Sequence, residues 1–120
     1  MNKKTVVLGA SSNPSRYSYL AVNRLVAHGH SVIAVGRKQG QINGTQIITD
    51  HPEIKDVDTI TLYLNAQNQE QYYDYILGLK PKRIIFNPGA ENAELEALAL
   101  HNNIKPMEAC TLVLLSTNQY

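Results

Sequence analysis

Gly9-Ala10-Ser11-Ser12-Asn13-Pro14-Ser15-Arg16 separates a short apolar run, Lys4-Thr5-Val6-Val7-Leu8, from a segment with helical spacing. Gly9 permits the sharp turn that a strand-to-helix connection needs. The residues after it offer backbone N–H groups and hydroxyls near the start of the next helix. A helix N-terminus carries partial positive charge and unpaired N–H donors, so this arrangement suits phosphate. A phosphate-bearing nucleotide is the first ligand to consider. The bland alternative is a simple turn in which Ser and Asn serve only as caps.

The loop is not a full dinucleotide fingerprint. G-x-G-x-x-G requires glycines two and five residues after the first, and Ser11 and Pro14 stand there. Pro14 is natural near a helix start, where its missing N–H costs little. The second loop, Val35-Gly36-Arg37-Lys38, adds information. NAD-binding domains place an acidic residue after the second strand to hold the ribose hydroxyls. Two cations there favour a ligand with an extra phosphate on the adenosine ribose: NADP at the 2′ position, coenzyme A at the 3′ position. Otherwise Arg37 and Lys38 are solvated surface charges. Arg16, close to the expected diphosphate, can donate two hydrogen bonds to a phosphate; its alternative partner is a carboxylate on a neighbouring loop.

No catalytic set is apparent. His28 and His101 fall at helix ends, where a cation is favoured by the dipole. No His, Cys and carboxylate spacing resembles a metal site. Ser11-Ser12 lacks an adjacent base in sequence. Cys110, the only cysteine, lies beside an apolar stretch and reads as a buried small hydrophobe; the sharper idea places it near the thiol end of a ligand.

These residues need a scaffold, and strand and helix patterns alternate to provide it. The spacing predicts a strand at Lys4–Leu8 and a helix on which Tyr17, Leu20, Ala21 and Leu25 recur, closed by Gly29. Strands follow at Ser31–Val35, Gln46–Thr49 and Asp58–Leu64. Gly36, Gly40 and Gly44 read as a flexible crossing. Asn65 to Asn68 cap a helix carrying Tyr72, Tyr73, Ile76 and Leu79. Lys82–Phe86 is a further strand, followed by the Asn87-Pro88-Gly89 turn and a helix from about Glu91 to Asn102. Ile104–Met107 is a weak strand, and Thr111–Leu115 is apolar and ambiguous in type. The expected fold is α/β: a three-layer, Rossmann-like, doubly wound and mostly parallel sheet of about five strands, with helices on both faces. Ligands of such sheets bind beyond the C-terminal strand ends, where strand order reverses. That rule selects Gly9–Arg16, Val35–Lys38 and Tyr63–Asn65, with Asn87-Pro88-Gly89 on the same edge.

Gly9 to Tyr19 resembles the opening of small, single-domain CoA-binding proteins, a domain also found at the N-terminus of succinyl-CoA synthetase α subunits. Gly29-His30-Ser31-Val32-Ile33-Ala34-Val35, Phe86-Asn87-Pro88-Gly89-Ala90-Glu91-Asn92 and Ala109-Cys110-Thr111-Leu112-Val113 resemble later motifs of the family, in order. The resemblance implies a Rossmann-like domain holding coenzyme A or an acyl-CoA, without catalysis of its own. By position, Gly9, Ala10, Ser11, Ser12 and Asn13 would approach the phosphates, helped by Arg16 and Ser18. Val35, Gly36, Arg37 and Lys38 would border the adenosine and its 3′-phosphate. Asn65, Asn87, Pro88 and Gly89 would line the pantetheine route. The family often has Asn-Pro after the second strand, where this chain has Gly36-Arg37. An NADP- or NAD-using enzyme or redox sensor is the alternative, since the same edge would serve it.

The 120 residues suffice for one domain spanning 1–120. A net charge of +1 argues against a general nucleic-acid or membrane-surface binder. No apolar run reaches the roughly 20 residues of a membrane helix. The start at Met1-Asn2-Lys3-Lys4 lacks a secretory h-region, and a single cysteine fits a reducing compartment, so a cytoplasmic location is expected. Tyr72, Tyr73 and Tyr75 are too many for one buried helix face. Such an aromatic patch can mark self-association, which puts a homodimer among the expectations.

Overall fold

A computed structural model describes residues 2–120. Strand β1 (Thr5–Leu8) lies near the centre of one sheet, and all four of its residues are buried. The alternation of a strand sends Val6 and Leu8 to one face and Val7 to the other. Val6 and Leu8 pack in a cluster with Tyr72, Ile76, Leu95 and Ala99. Val7 packs in a second cluster with Val22, Leu25 and Leu115. Helices therefore cover both faces, which explains why β1 is apolar without alternation.

From the first loop the chain enters α1 (Tyr17–Ala27) and returns through β2 (Val32–Val35), parallel to β1. A hairpin follows, β3 (Gly40–Ile42) and β4 (Thr45–Ile48), with β4 parallel to β2. The chain then crosses to the other side of β1 as β5 (Thr59–Leu62). After β5 come α2 (Ala66–Gln69), a 3₁₀ turn at Glu70–Tyr72 and α3 (Tyr73–Leu79). The remaining elements are β6 (Arg83–Phe86), α4 (Ala93–His101), β7 (Lys105–Glu108) and α5 (Thr111–Ser116). The strand order is β3-β4-β2-β1-β5-β6-β7. Order reverses between β1 and β5, so the crevice for a ligand opens at their C-terminal ends.

The sheet has seven strands rather than about five, and one pair, β3–β4, is antiparallel. The segment read as a flexible crossing is this hairpin. Ile42 pairs with Thr45 across a two-residue loop. Asn43 and Gly44 have φ of 46° and 90°, the conformation of a type I′ turn, which suits the strand twist. Thr111–Leu115 is helical. Thr111 and Leu115, one turn apart, are both buried on the sheet, and the Thr111 amide is held by Asn87 Oδ1 at 2.8 Å.

The opposite edge, where the strands begin, is closed by polar side chains. Tyr120 Oη lies 2.6 Å from Thr5 Oγ1. The Arg83 guanidinium sits 4.4 Å from the Tyr120 ring centre and its Nε donates to Thr59 Oγ1 at 2.7 Å. His30 packs on the same ring at 4.9 Å, and its Nδ1 accepts from the Lys3 amide at 2.9 Å. Burial, reinforced by nearby positive charge, holds His30 below its ordinary pKa of 6.5. A protonated His30 would also lose the lone pair that Lys3 uses. The unfolded chain therefore binds this proton more readily, so stability should fall as pH drops below about 6.5. In urea titrations between about pH 5.5 and 7.5, wild type should lose more stability on acidification than H30N, whose amide oxygen can keep the Lys3 bond. Parallel curves for the two proteins would contradict this role.

Candidate nucleotide-binding site

The first loop is shaped by its own side chains. The amides of Gly9 and Ala10 both donate to the Val35 carbonyl at 2.9 Å, which ties the loop to the end of β2. Ser11 Oγ accepts from the Asn13 amide at 3.1 Å. Asn13 Oδ1 accepts from the amide and hydroxyl of Ser15 at 3.0 and 2.8 Å. Short polar side chains thus brace the turn locally. What they leave over is the important part. Among the described residues, nothing accepts from the amides of Ser11, Ser12, Tyr17 or Ser18. Among the described residues no side chain caps α1, and its first turn holds no acidic residue. An uncapped helix start with spare donors favours an anion.

These donors open on a cleft of about 670 Å³, within the range of about 300–1,000 Å³ usual for small-molecule sites. Gly9, Ala10, Ser11, Ser12, Asn13, Arg16 and Ser18 line one side of it. Arg37 and Lys38 line the end beyond β2. Tyr63, Leu64, Asn65 and Asn68 meet Pro88, Gly89 and Ala90 to form the far wall. Among the described residues, three cations line the cleft and no carboxylate does. Arg16, Arg37 and Lys38 are exposed, and among the described residues none of them forms an ion pair. The alternative of a carboxylate partner for Arg16 is not realised. A positive, concave surface concentrates anionic ligands and strengthens its contacts with them.

Val35, Gly36 and Asn87 do not line the cleft. Val35 is fully buried and contributes its carbonyl to the first loop. Gly36 sits so close beneath that loop that a Cβ there would lie 2.3 Å from the Ala10 carbonyl oxygen. Gly9, at φ 95°, is constrained in the same way: its added Cβ would come within 2.9 Å of the Tyr63 carbonyl oxygen. Asn87 is buried under the far wall. Its Nδ2 donates to Thr61 Oγ1 at 2.6 Å and to the Leu62 carbonyl at 2.9 Å, and its Oδ1 receives the Thr111 amide. It joins β5, β6 and α5 rather than facing the opening. Asn65 Oδ1 accepts from the Asn68 amide at 2.9 Å and caps α2. Sequence reasoning missed Tyr17, Asn68 and Ala90 as lining residues. The switch-point rule pointed to Tyr63 and Leu64 through their loop.

Cys110 is half-buried at the start of α5 and does not line the cleft. His28 lies at the end of α1 with Nδ1 2.7 Å from the Arg24 carbonyl oxygen. Among the described residues, no group of three or more His, Cys, Asp or Glu side chains is placed to hold a metal ion. The tyrosines of the middle helix find partners within the chain. Tyr73 Oη receives Asn92 Nδ2 at 2.8 Å. Tyr75 Oη donates to the Pro52 carbonyl at 2.6 Å, and the Tyr72 and Tyr75 rings flank His51 at 4.9 and 4.7 Å.

A Rossmann-like sheet thus carries spare helix-start donors and, among the described residues, unpaired cations at its switch point. The CoA binding domain family matches residues 3–116, and the chain belongs to that family. A crystal structure of an uncharacterized protein is 54% identical, with a TM-score of 0.98, over 100% of this chain and 99% of the other. A hypothetical protein from Pyrococcus horikoshii OT3 shares the fold at 21% identity and a TM-score of 0.83, over 92% of this chain and 80% of its own. The fold also recurs in a dinucleotide-forming acetyl-coenzyme A synthetase from Ca. Korarchaeum cryptofilum, solved with phosphate and ADP. That match has 16% identity and a TM-score of 0.70, over 92% of this chain and 26% of the synthetase. None of the curated proteins matches the chain.

The contact between Gly36 and Ala10 generates a prediction. In G36A the new methyl must displace the first loop, a crowding cost of about 1–3 kcal/mol. Chemical denaturation should show that loss, because the loop and the end of β2 share one carbonyl. An unchanged midpoint would show that the two loops are not rigidly joined.

Proposed function

We propose that the cleft binds coenzyme A or an acyl-CoA and performs no bond-making step of its own. One observation carries the reading. Three unpaired cations and an uncapped helix start converge on one cleft that no carboxylate lines. Family membership supports it. The diphosphate lies against the spare amides of Ser11 and Ser12 and the first turn of α1, with Arg16 alongside. Arg37 and Lys38 meet the 3′-phosphate of the ribose. Pantetheine runs along the wall formed by Leu64, Asn65, Pro88 and Gly89. Ser18, buried at the helix start, adds a hydroxyl at the phosphate end.

The same cation pair suits the 2′-phosphate of NADP, so a redox reading of the cleft is the competing one. Calorimetric titration separates the two. CoA should bind saturably, and more tightly than NADP. Dephospho-CoA, which lacks the 3′-phosphate, should bind about five- to tenfold more weakly, the range of an exposed charge contact made with two cations. The double variant R37A/K38A should erase that difference. R16A should weaken CoA and dephospho-CoA by the same factor, because both carry the diphosphate. Absence of saturable CoA binding would end the proposal, and tighter binding of NADP would favour the redox alternative.

A further inference from the structure

The first loop is held by backbone and short side chains, whereas the two loops of the far wall are bridged by a buried side-chain amide. Gln69, the last residue of α2, is fully buried. Its Nε2 donates at 2.7 Å to the carbonyl of Leu64 and at 2.7 Å to that of Ala90. A side-chain amide nitrogen has two hydrogens, and both are committed here. Leu64 follows β5, Ala90 follows β6, and both line the cleft. Among the described residues, no backbone amide donates to either carbonyl. Gln69 Oε1 receives Asn92 Nδ2 at 2.9 Å. The other hydrogen of that amide goes to Tyr73 Oη, and Asn92 Oδ1 caps α4 through the Leu95 amide at 3.2 Å. The orientation of the Gln69 amide is thereby fixed from behind.

We propose that Gln69, which does not itself line the cleft, is a positioning residue that sets the spacing between the Leu64–Asn65 and Pro88–Ala90 loops. It thereby sets the affinity for the part of the ligand lying along them. This assignment of the ligand rests on the reading given above. Donation to both carbonyls is what fixes the spacing. An apolar residue of equal volume fills the space but leaves two buried acceptors unmet, which drives the loops apart toward water. A structural role alone would predict something different, because a general loss of folded protein lowers affinity for every ligand by one factor.

The test compares coenzyme A with 3′,5′-ADP, which keeps the nucleotide end and lacks pantetheine. Q69M should weaken CoA by about tenfold while changing 3′,5′-ADP less than about twofold. N92D, which keeps the α4 cap but withdraws the hydrogen bond to Gln69 Oε1, should shift CoA in the same direction by less. It carries the test should Q69M fail to fold. Parallel losses for both ligands, or no loss for either, would overturn the positioning role. If wild type binds neither ligand, the reading of the cleft fails, and amide hydrogen exchange of the free protein decides Gln69 by itself. Faster exchange in Q69M confined to Asn68 and Ala90, with the strands unchanged, upholds its control of the loops; unaltered exchange there refutes it.

Discussion

The carbonyl of Val35 is the point on which the site depends. It takes hydrogen bonds from two consecutive amides, those of Gly9 and Ala10. That double acceptance forces the chain leaving β1 to lie across the end of β2. Contact this close is available only because residue 36 has no side chain. With the loop pinned there, the next residues cannot pair with the sheet. Their amides face the crevice instead, and α1 starts beside them. Free donors normally cost stability when buried; here they lie at an open edge where water or a ligand can satisfy them.

The two halves of the cleft are built on different physics. The first-loop side rests on backbone geometry and on apolar packing beneath it, since Val7, Ala34 and Val35 are all fully buried. The far wall rests on side-chain amides, with Gln69 and Asn92 above and Asn87 beneath. Buried polar networks of this kind specify distances well when every member is satisfied. They contribute shape more than stability, which comes from the two apolar clusters flanking the sheet. The loops that meet the ligand can therefore be well positioned while remaining exposed at Pro88, Gly89 and Asn65.

The alternation of apolar runs with helical spacing made the fold class readable, because each run had to be buried on both faces. The strand count was not readable in the same way. β3 contains Gly40, Gln41 and Ile42, with only one buried apolar residue, so it lacks a run. The signal was present in Asn43-Gly44, a pair suited to a tight hairpin, but the neighbouring glycines suggested a flexible crossing. Thr111–Leu115 was ambiguous because five apolar or β-branched residues fit either period. In the fold its first residue, Thr111, is anchored by hydrogen bonds with Asn87 and Thr61.

Loops at the strand ends were also readable, because topology places them whatever their sequence. Which side chains turn toward the opening was not. Val35 and Asn87 sit in the right loops but point into the interior, a fact fixed by strand alternation and by partners distant in sequence. Gln69 gave no signal at all, since a glutamine near the start of a helix is ordinary on a surface. Only the folded arrangement shows that both of its hydrogens are spoken for.

In the proposed complex, backbone amides at the first crossover grip a diphosphate. Backbone ¹⁵N–¹H spectra recorded during titration with coenzyme A test it residue by residue. Ser11, Ser12, Tyr17 and Ser18 should show the largest amide shifts, saturating together. Saturable shifts that spare these four and gather elsewhere on the molecule would contradict it.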